Sequence, residues 1–333
     1  MIFLILFLTL AGAIIPTIFY INLVWWLDRY EKEPLWLLTV AFLWGAIPAI
    51  MLGLIGELVF DAGLSSFFGD GFVSDALGAG ISAPLFEESA KGIFLVGLLL
   101  LFWRHYDDPL DGIIYGSMVG FGFATVENIF YFLDAFGGGL ASGLVNIFLR
   151  AFVFGLNHAF FTSWMGLALG YARTHFGFVN RLVAPVLGWL AAMFFHSIHN
   201  FGAAFAEATY CFSFVIILIS DWGGVILLTI IAFVLLGHEK QWLMAELKPE
   251  VAAGLLTQGE YDILISSTRR ANVRLSALFK RGWQAYRQLG KFFAAATDLA
   301  FTKYQLKTFG EEGGNTQEIE QLRTQLRAMK QAQ

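Results

Sequence analysis

Ala83-Pro84-Leu85-Phe86-Glu87-Glu88-Ser89-Ala90-Lys91-Gly92-Ile93-Phe94-Leu95-Val96-Gly97-Leu98-Leu99-Leu100-Leu101 sets three charged side chains at one end of an otherwise apolar run. Alone, such a run reads equally as a buried helix or a membrane span. Its neighbours decide. Apolar runs of about 20 residues, the length that crosses about 30 Å of hydrocarbon, recur along the chain. The composition is 57% hydrophobic and only 14% charged, where a soluble domain carries about 25% charged residues. The reading is an all-α polytopic membrane bundle with seven spans, near 3–27, 34–60, 83–103, 112–134, 144–172, 182–205 and 212–236. Ser220-Asp221-Trp222-Gly223-Gly224 interrupts the last. The first run lacks a basic leader and outlasts a signal sequence, so it reads as a retained span. Gly112, Gly116 and Gly120 form a series that lets helix backbones approach closely.

Orientation follows from Lys and Arg, which accumulate in cytoplasmic loops. Arg29 and Lys32, then Arg104, then Arg173 and Arg181 lie after the first, third and fifth spans. The loops after the second, fourth and sixth carry neither residue. The expected topology is N-outside and C-cytoplasmic, in the cell membrane, with residues 1–240 as the membrane domain. Residues 241–333 read as a cytoplasmic helical tail. It joins an Arg269–Lys291 basic stretch to a Glu318–Lys330 helix across Gly310-Glu311-Glu312-Gly313-Gly314-Asn315. Phe279, Trp283 and Tyr286 interleave with the basic stretch, which suits either anionic lipid or an ordinary solvated helix or protein contact. A lone cysteine, Cys211, excludes an intramolecular disulfide. Nothing in the membrane part suggests nucleic-acid binding.

A charged side chain at mid-bilayer costs roughly 2.5–3.5 kcal/mol on insertion scales, so polar residues inside spans are functional candidates. With Ser82 as N-cap and Pro84 in the first turn, Glu87 and Glu88 fall about 7 Å down the third helix. Lys91 is i+4 from Glu87 and i+3 from Glu88. The i,i+4 geometry favours Glu87–Lys91 as the pair and leaves Glu88 free. Glu127 and Asn128 lie near the outer end of the fourth span, His158 in the fifth, and His196 and Asn200 one turn apart in the sixth. These positions share one slab between the midplane and the outer surface. A lone histidine in an apolar helix is usually a satisfied core group, which leaves His199 open. Arg150, Asn157 and Asp221 read as structural polar groups.

Two chemistries fit. Glu127, His158 and His196 have the ligand count of a catalytic zinc site with one position for water, and Glu87 or Glu88 is then the base. Alternatively, a glutamate and a histidine activate water without metal, and Asn200 and a histidine donate to the developing oxyanion. Intramembrane Glu and His also build proton relays, so a proton- or ion-coupled transporter is the rival reading. The halves show no matching repeats to favour it.

Glu87-Glu88-x-x-Lys91, Phe123-x-x-x-Glu127-Asn128, His158 and His196-x-x-x-Asn200, in this order, resemble the motifs of the PrsW family of intramembrane proteases, within the group that includes the CAAX prenyl endopeptidases. Asp28-Arg29-Tyr30-Glu31-Lys32-Glu33-Pro34 is also similar, and the resemblance spans about residues 15–240. It implies cleavage of a membrane-anchored protein near the external face; for the name-giving members that protein is an anti-sigma factor. The CAAX enzymes carry His where Glu127 stands, which sets this chain apart from cleavage of prenylated proteins.

Overall fold

Apolar runs too long for a soluble core become helices because a backbone in hydrocarbon must satisfy its own hydrogen bonds. The computed structural model describes residues 1–331, and among these there is no strand. In chain order the helices are α1 (Ile2–Leu27), α2 (Leu35–Trp44), α3 (Ile50–Phe68), α4 (Phe72–Leu77), α5 (Ala83–Leu101), α6 (Pro109–Gly137), α7 (Leu140–Phe148), α8 (Asn157–Thr174), α9 (Phe178–Ala204), α10 (Phe212–Ala252), α11 (Gln258–Leu264), α12 (Ser267–Phe309) and α13 (Asn315–Gln331).

Six described stretches are long and apolar enough to cross a membrane: α1, α2 with α3, α6, α7 with α8, α9 and α10. The seventh expected span is α5, whose Glu87, Glu88 and Lys91 depart from the apolar rule. It is surrounded by protein there: Glu87, Glu88, Ala90, Lys91 and Gly92 are all buried. This is a multi-pass membrane protein.

Three local outcomes differ from the sequence reading. Ser82 makes no capping hydrogen bond, because the chain enters α5 already helical through a π turn, Gly78–Ser82, which leaves no free helix start to cap. The expected fifth span is broken. α7 runs into a π turn, Leu149–Val153, and α8 restarts at Asn157, so His158 stands at a helix N-terminus. The last span continues without interruption through Ser220–Gly224, where Gly224 lets the Phe160 ring approach so closely that a Cβ would lie 2.1 Å from it.

The chain divides into two compact units, Met1–Leu27 with Glu33–Ala232, and Asp28–Lys32 with Phe233–Gln333. At the centre of the first lies α6, buried along its whole first half from Pro109 to Thr125. Asp108 caps it, accepting from Leu110 and Asp111 amides, while Asp111 accepts from the Asp108 amide. The glycine series meets α8 backbone to backbone: a Cβ on Gly112 would lie 2.1 Å from the Gly166 carbonyl oxygen, and one on Gly120 2.3 Å from that of His158. Small residues thus set how near α8 stands to α6. In the second unit α12, kinked at Gly282 (φ 83°), packs with α13. Buried Glu250 accepts from Lys303 at 2.7 Å and from Arg323 at 2.6 Å. Phe279 and Trp283 are exposed beside the kink.

Gly112→Val overpacks the α6–α8 contact and should lower stability in detergent by about 1–3 kcal/mol or more. Gly97→Val, facing open space, should leave the unfolding midpoint unchanged; equal effects would contradict the contact. In the tail, burial pushes Glu250 up, but its bonds to Arg323 and Lys303 prevail and hold it below the usual carboxylate range. Its contribution is therefore present above the unfolded value of about 4.3 and lost as pH falls through the lower folded-state value. Glu250→Gln should lose it at every pH and open the tail by about 3–5 kcal/mol, read by hydrogen exchange of α12 and α13. Unchanged exchange at neutral pH would remove Glu250 from the account.

Candidate functional site

The site is built from α5, α6, α8 and α9, and its hub is an ammonium. Lys91, fully buried, donates from Nζ to Glu88 Oε1 at 2.8 Å and to Glu87 Oε2 at 3.2 Å, and lies 3.1 Å from His158 Nδ1. It also sits 3.7 Å above the Phe123 ring, a cation–π contact. Lys91 therefore pairs with both glutamates, and the shorter bond goes to Glu88. The expectation of a Glu87–Lys91 pair with Glu88 free is corrected here: the lysine stem is long enough to reach the i−3 and i−4 carboxylates together.

Glu88 is saturated. It accepts from Thr162 Oγ1 at 3.0 Å and lies 3.1 Å from His196 Nδ1. Among the described residues Glu87 has only Lys91 as a hydrogen-bond partner, with ring nitrogens of His158 and His196 each 3.9 Å from its Oε2. A cavity of about 670 Å³ opens onto Glu87, Glu127, His158 and Asn200. Glu88, Lys91 and His196 lie behind that wall, buried to 2% exposure or less.

The tautomers follow from the partners. His158 Nε2 is 2.9 Å from Glu127 Oε2, so it donates there, and Nδ1 is left to accept from Lys91. His196 Nδ1 donates to Glu88, which leaves its Nε2 as an acceptor on the Glu87 side. Glu127 is itself held by the Arg150 guanidinium, whose Nε donates to Asn128 Oδ1 at 2.8 Å and whose plane lies 3.8 Å from the Tyr131 ring. Asn200 spends one amide hydrogen on the Ala79 carbonyl at 2.8 Å. Thus Glu87, Glu88, Lys91, Glu127, Asn128, His158 and His196 form one connected network, and Asn200 reaches it only across the cavity.

Two cavity residues escaped the sequence reading. Glu57 and Asp61, one turn apart on α3, line the same space. Glu57 had a signal: it is the one charged residue between Pro34 and Asp61. Arg150, assigned above to structure, also reaches the cavity, because the π turn in which it lies carries its side chain to Glu127.

The donor set also bears on a metal. One oxygen each from Glu87 and Glu88 and one nitrogen each from His158 and His196 lie within 4.8 Å of one another. Two carboxylates and two imidazoles are donors of zinc type, so the residues fit a divalent ion. Such an ion competes with the Lys91 ammonium, which already bonds to three of the four. This set exchanges the expected Glu127 for Glu87 and Glu88; Glu127 stands one step out, against the far nitrogen of His158.

Lys91→Met strands two buried carboxylates and should destabilise the protein by about 3–5 kcal/mol. Adding Glu88→Gln should recover part of that loss in a double-mutant cycle of unfolding midpoints. Strict additivity would mean that the two do not interact.

Residues 33–237 match the family described as PrsW family intramembrane metalloprotease. Similar curated proteins, each named Protease PrsW, come from Geobacillus kaustophilus, Oceanobacillus iheyensis and Bacillus subtilis. The first is 29% identical over 195 residues, 59% of this chain and 79% of the relative. The second is 29% identical over 192 residues, covering 58% and 81%. The third is 29% identical over 168 residues, covering 50% and 70%. No solved structure matches.

Proposed function

We propose a mechanism for a chain that belongs to the PrsW family of intramembrane proteases. It is an intramembrane endopeptidase and its substrate is a membrane protein; the carrier reading gains no support from these relatives. The observation that carries the mechanism is the position of Glu87, the one carboxylate of the Lys91 hub that opens onto the cavity.

Glu87 is the general base. A water in the cavity gives its proton to Glu87 Oε2 while its oxygen attacks the scissile carbonyl. Lys91 fixes the Glu87 carboxylate, Glu88 holds Lys91, and His196 holds Glu88. Glu127, anchored by Arg150, sets the His158 tautomer, as an oriented carboxylate does for any working imidazole. The second amide hydrogen of Asn200 is left for the developing oxyanion, where a removed donor typically costs about 10²–10³ in rate. Glu87, Glu88, His158 and His196 are the residues that would hold a divalent ion such as zinc, with Glu127 behind His158. A bound ion lowers the pKa of its water towards 7.

The loop charges support a cavity in the outer half of the bilayer, and with it a scissile bond near the external face of a single-pass or lipid-anchored protein. A regulator of anti-sigma-factor type fits that description. Residues 1–240 carry every residue of this site, and residues 241–333 are the cytoplasmic tail. Exposed Phe279 and Trp283 among Lys280, Arg281 and Arg287 suit contact with anionic lipid.

With purified protein and membrane-anchored substrates, Glu87→Gln should lower cleavage by about 10²-fold or more. Glu127→Gln and His196→Ala should lower it while leaving the protein folded. Unchanged cleavage in all three would refute the site. Chelation with metal analysis separates the two chemistries: loss of activity restored by zinc identifies a metal enzyme, and full activity in metal-free protein identifies direct activation by Glu87.

A further inference from the structure

Three polar side chains from three helices meet beside the same cavity without entering the Lys91 network; Asn157 and His199 line it, and Asp221 is buried behind them. Asp221 of α10 is 1% exposed. Its Oδ2 lies 2.7 Å from His199 Nδ1 of α9 and accepts from Asn157 Nδ2 of α8 at 2.8 Å. An imidazole nitrogen and a carboxylate oxygen at 2.7 Å need a proton between them, so His199 carries it on Nδ1. Asn157 Nδ2, 2.9 Å from that nitrogen, gives its hydrogen to Asp221 instead.

The ring is then fixed in orientation as well as tautomer. Phe154 meets it edge-on, at 5.0 Å and 74°, and Phe161 lies 6.1 Å away. With Nδ1 committed to Asp221, the nitrogen left for the cavity is Nε2. A purely structural pair would satisfy the whole carboxylate, since buried polar atoms are nearly always bonded. Here Asp221 Oδ1, buried, has no partner among the described residues. The arrangement keeps a buried negative charge against one side of an imidazole whose other side faces the cavity.

We propose that His199, oriented by Asp221 and Asn157, is the general acid that protonates the leaving amine of the same hydrolysis, a role that rests on the protease mechanism above. An amide nitrogen cannot leave as an anion. When the tetrahedral intermediate collapses, the C–N electron pair goes to nitrogen, and nitrogen takes the proton from His199 Nε2. The imidazole is left neutral, still donating from Nδ1 to Asp221. The proton that Glu87 took from water returns to His199 through cavity water, so one water is consumed and a carboxylic acid and an amine are released. His199 is the catalytic residue; Asp221 and Asn157 are positioning residues. Assigning base and acid to separate groups explains why the cavity is lined by both polar sets.

The test uses full-length protein and a synthetic single-span peptide that the wild type cuts, made with either an amide or an ester at the scissile bond. An ester oxygen leaves with far less help from a proton. His199→Gln should lose about 10²-fold or more on the amide and less than about tenfold on the ester. Asp221→Asn should show the same amide-selective loss, smaller in size. Equal losses on both bonds, or no loss on either, would overturn the role of His199. Glu87→Gln should fail on both bonds; if it does not, the protease mechanism falls, and this one with it. A substrate-free measurement stands beside these. The ¹⁵N resonances of His199 should show a protonated Nδ1 in the wild type that changes in Asp221→Asn, and a ring protonated only at Nε2 would refute the dyad.

Discussion

A lysine ammonium that reaches no water organises this protein. Lys91 lies on a helix flanked by apolar spans, where an unpaired charge is prohibitively costly, and only good geometry repays the desolvation of an ion pair. Two carboxylates, an imidazole and an aromatic face surround it. To bring those groups together, four helices must be held in register, and each partner needs a partner of its own: Thr162 and His196 for Glu88, Glu127 for His158, Arg150 for Glu127. Once Lys91 is buried there, the rest of the network follows from charge pairing.

Close packing makes that register possible. Glycines on α6 allow α8 to approach to backbone contact, and Gly120 faces the His158 carbonyl itself. α8 begins at Asn157, after a break that releases the preceding π turn to send Arg150 towards Glu127. Irregular backbone is tolerated at membrane depth where it lines a cavity, and both the Gly78–Ser82 and Leu149–Val153 π turns adjoin this one. These two departures from regular helix thus sit beside the chemistry, where π turns and function commonly coincide.

Much of this was legible in the sequence, for identifiable reasons. Apolar run length gave the helices, because hydrocarbon thickness leaves little choice. The Gly112–Gly116–Gly120 series gave the α6–α8 contact, because only small residues permit it. The cost of intramembrane charge singled out Glu87, Glu88, Glu127, His158 and His196, which do meet. Side-chain reach was less legible. Helical spacing could not say that one lysine would serve both glutamates, nor that Glu87 rather than Glu88 would face the cavity. The break before Asn157 has no proline to announce it, so Arg150 looked structural. Asp221 sat in a Ser-Asp-Trp-Gly-Gly stretch that resembled an interruption, and its pairing with His199 depends on a packing of α9 against α10 that no local pattern encodes.

Water, and no carboxylate of the protein, attacks the scissile carbonyl: Glu87 takes a proton and never forms a bond to the substrate. A single turnover in H₂¹⁸O, followed by mass spectrometry of product and digested enzyme, tests this directly. The expected result is ¹⁸O in the new carboxyl terminus of the product and none in the peptide containing Glu87 and Glu88. Label in that peptide would reveal an acyl-glutamate intermediate and contradict it.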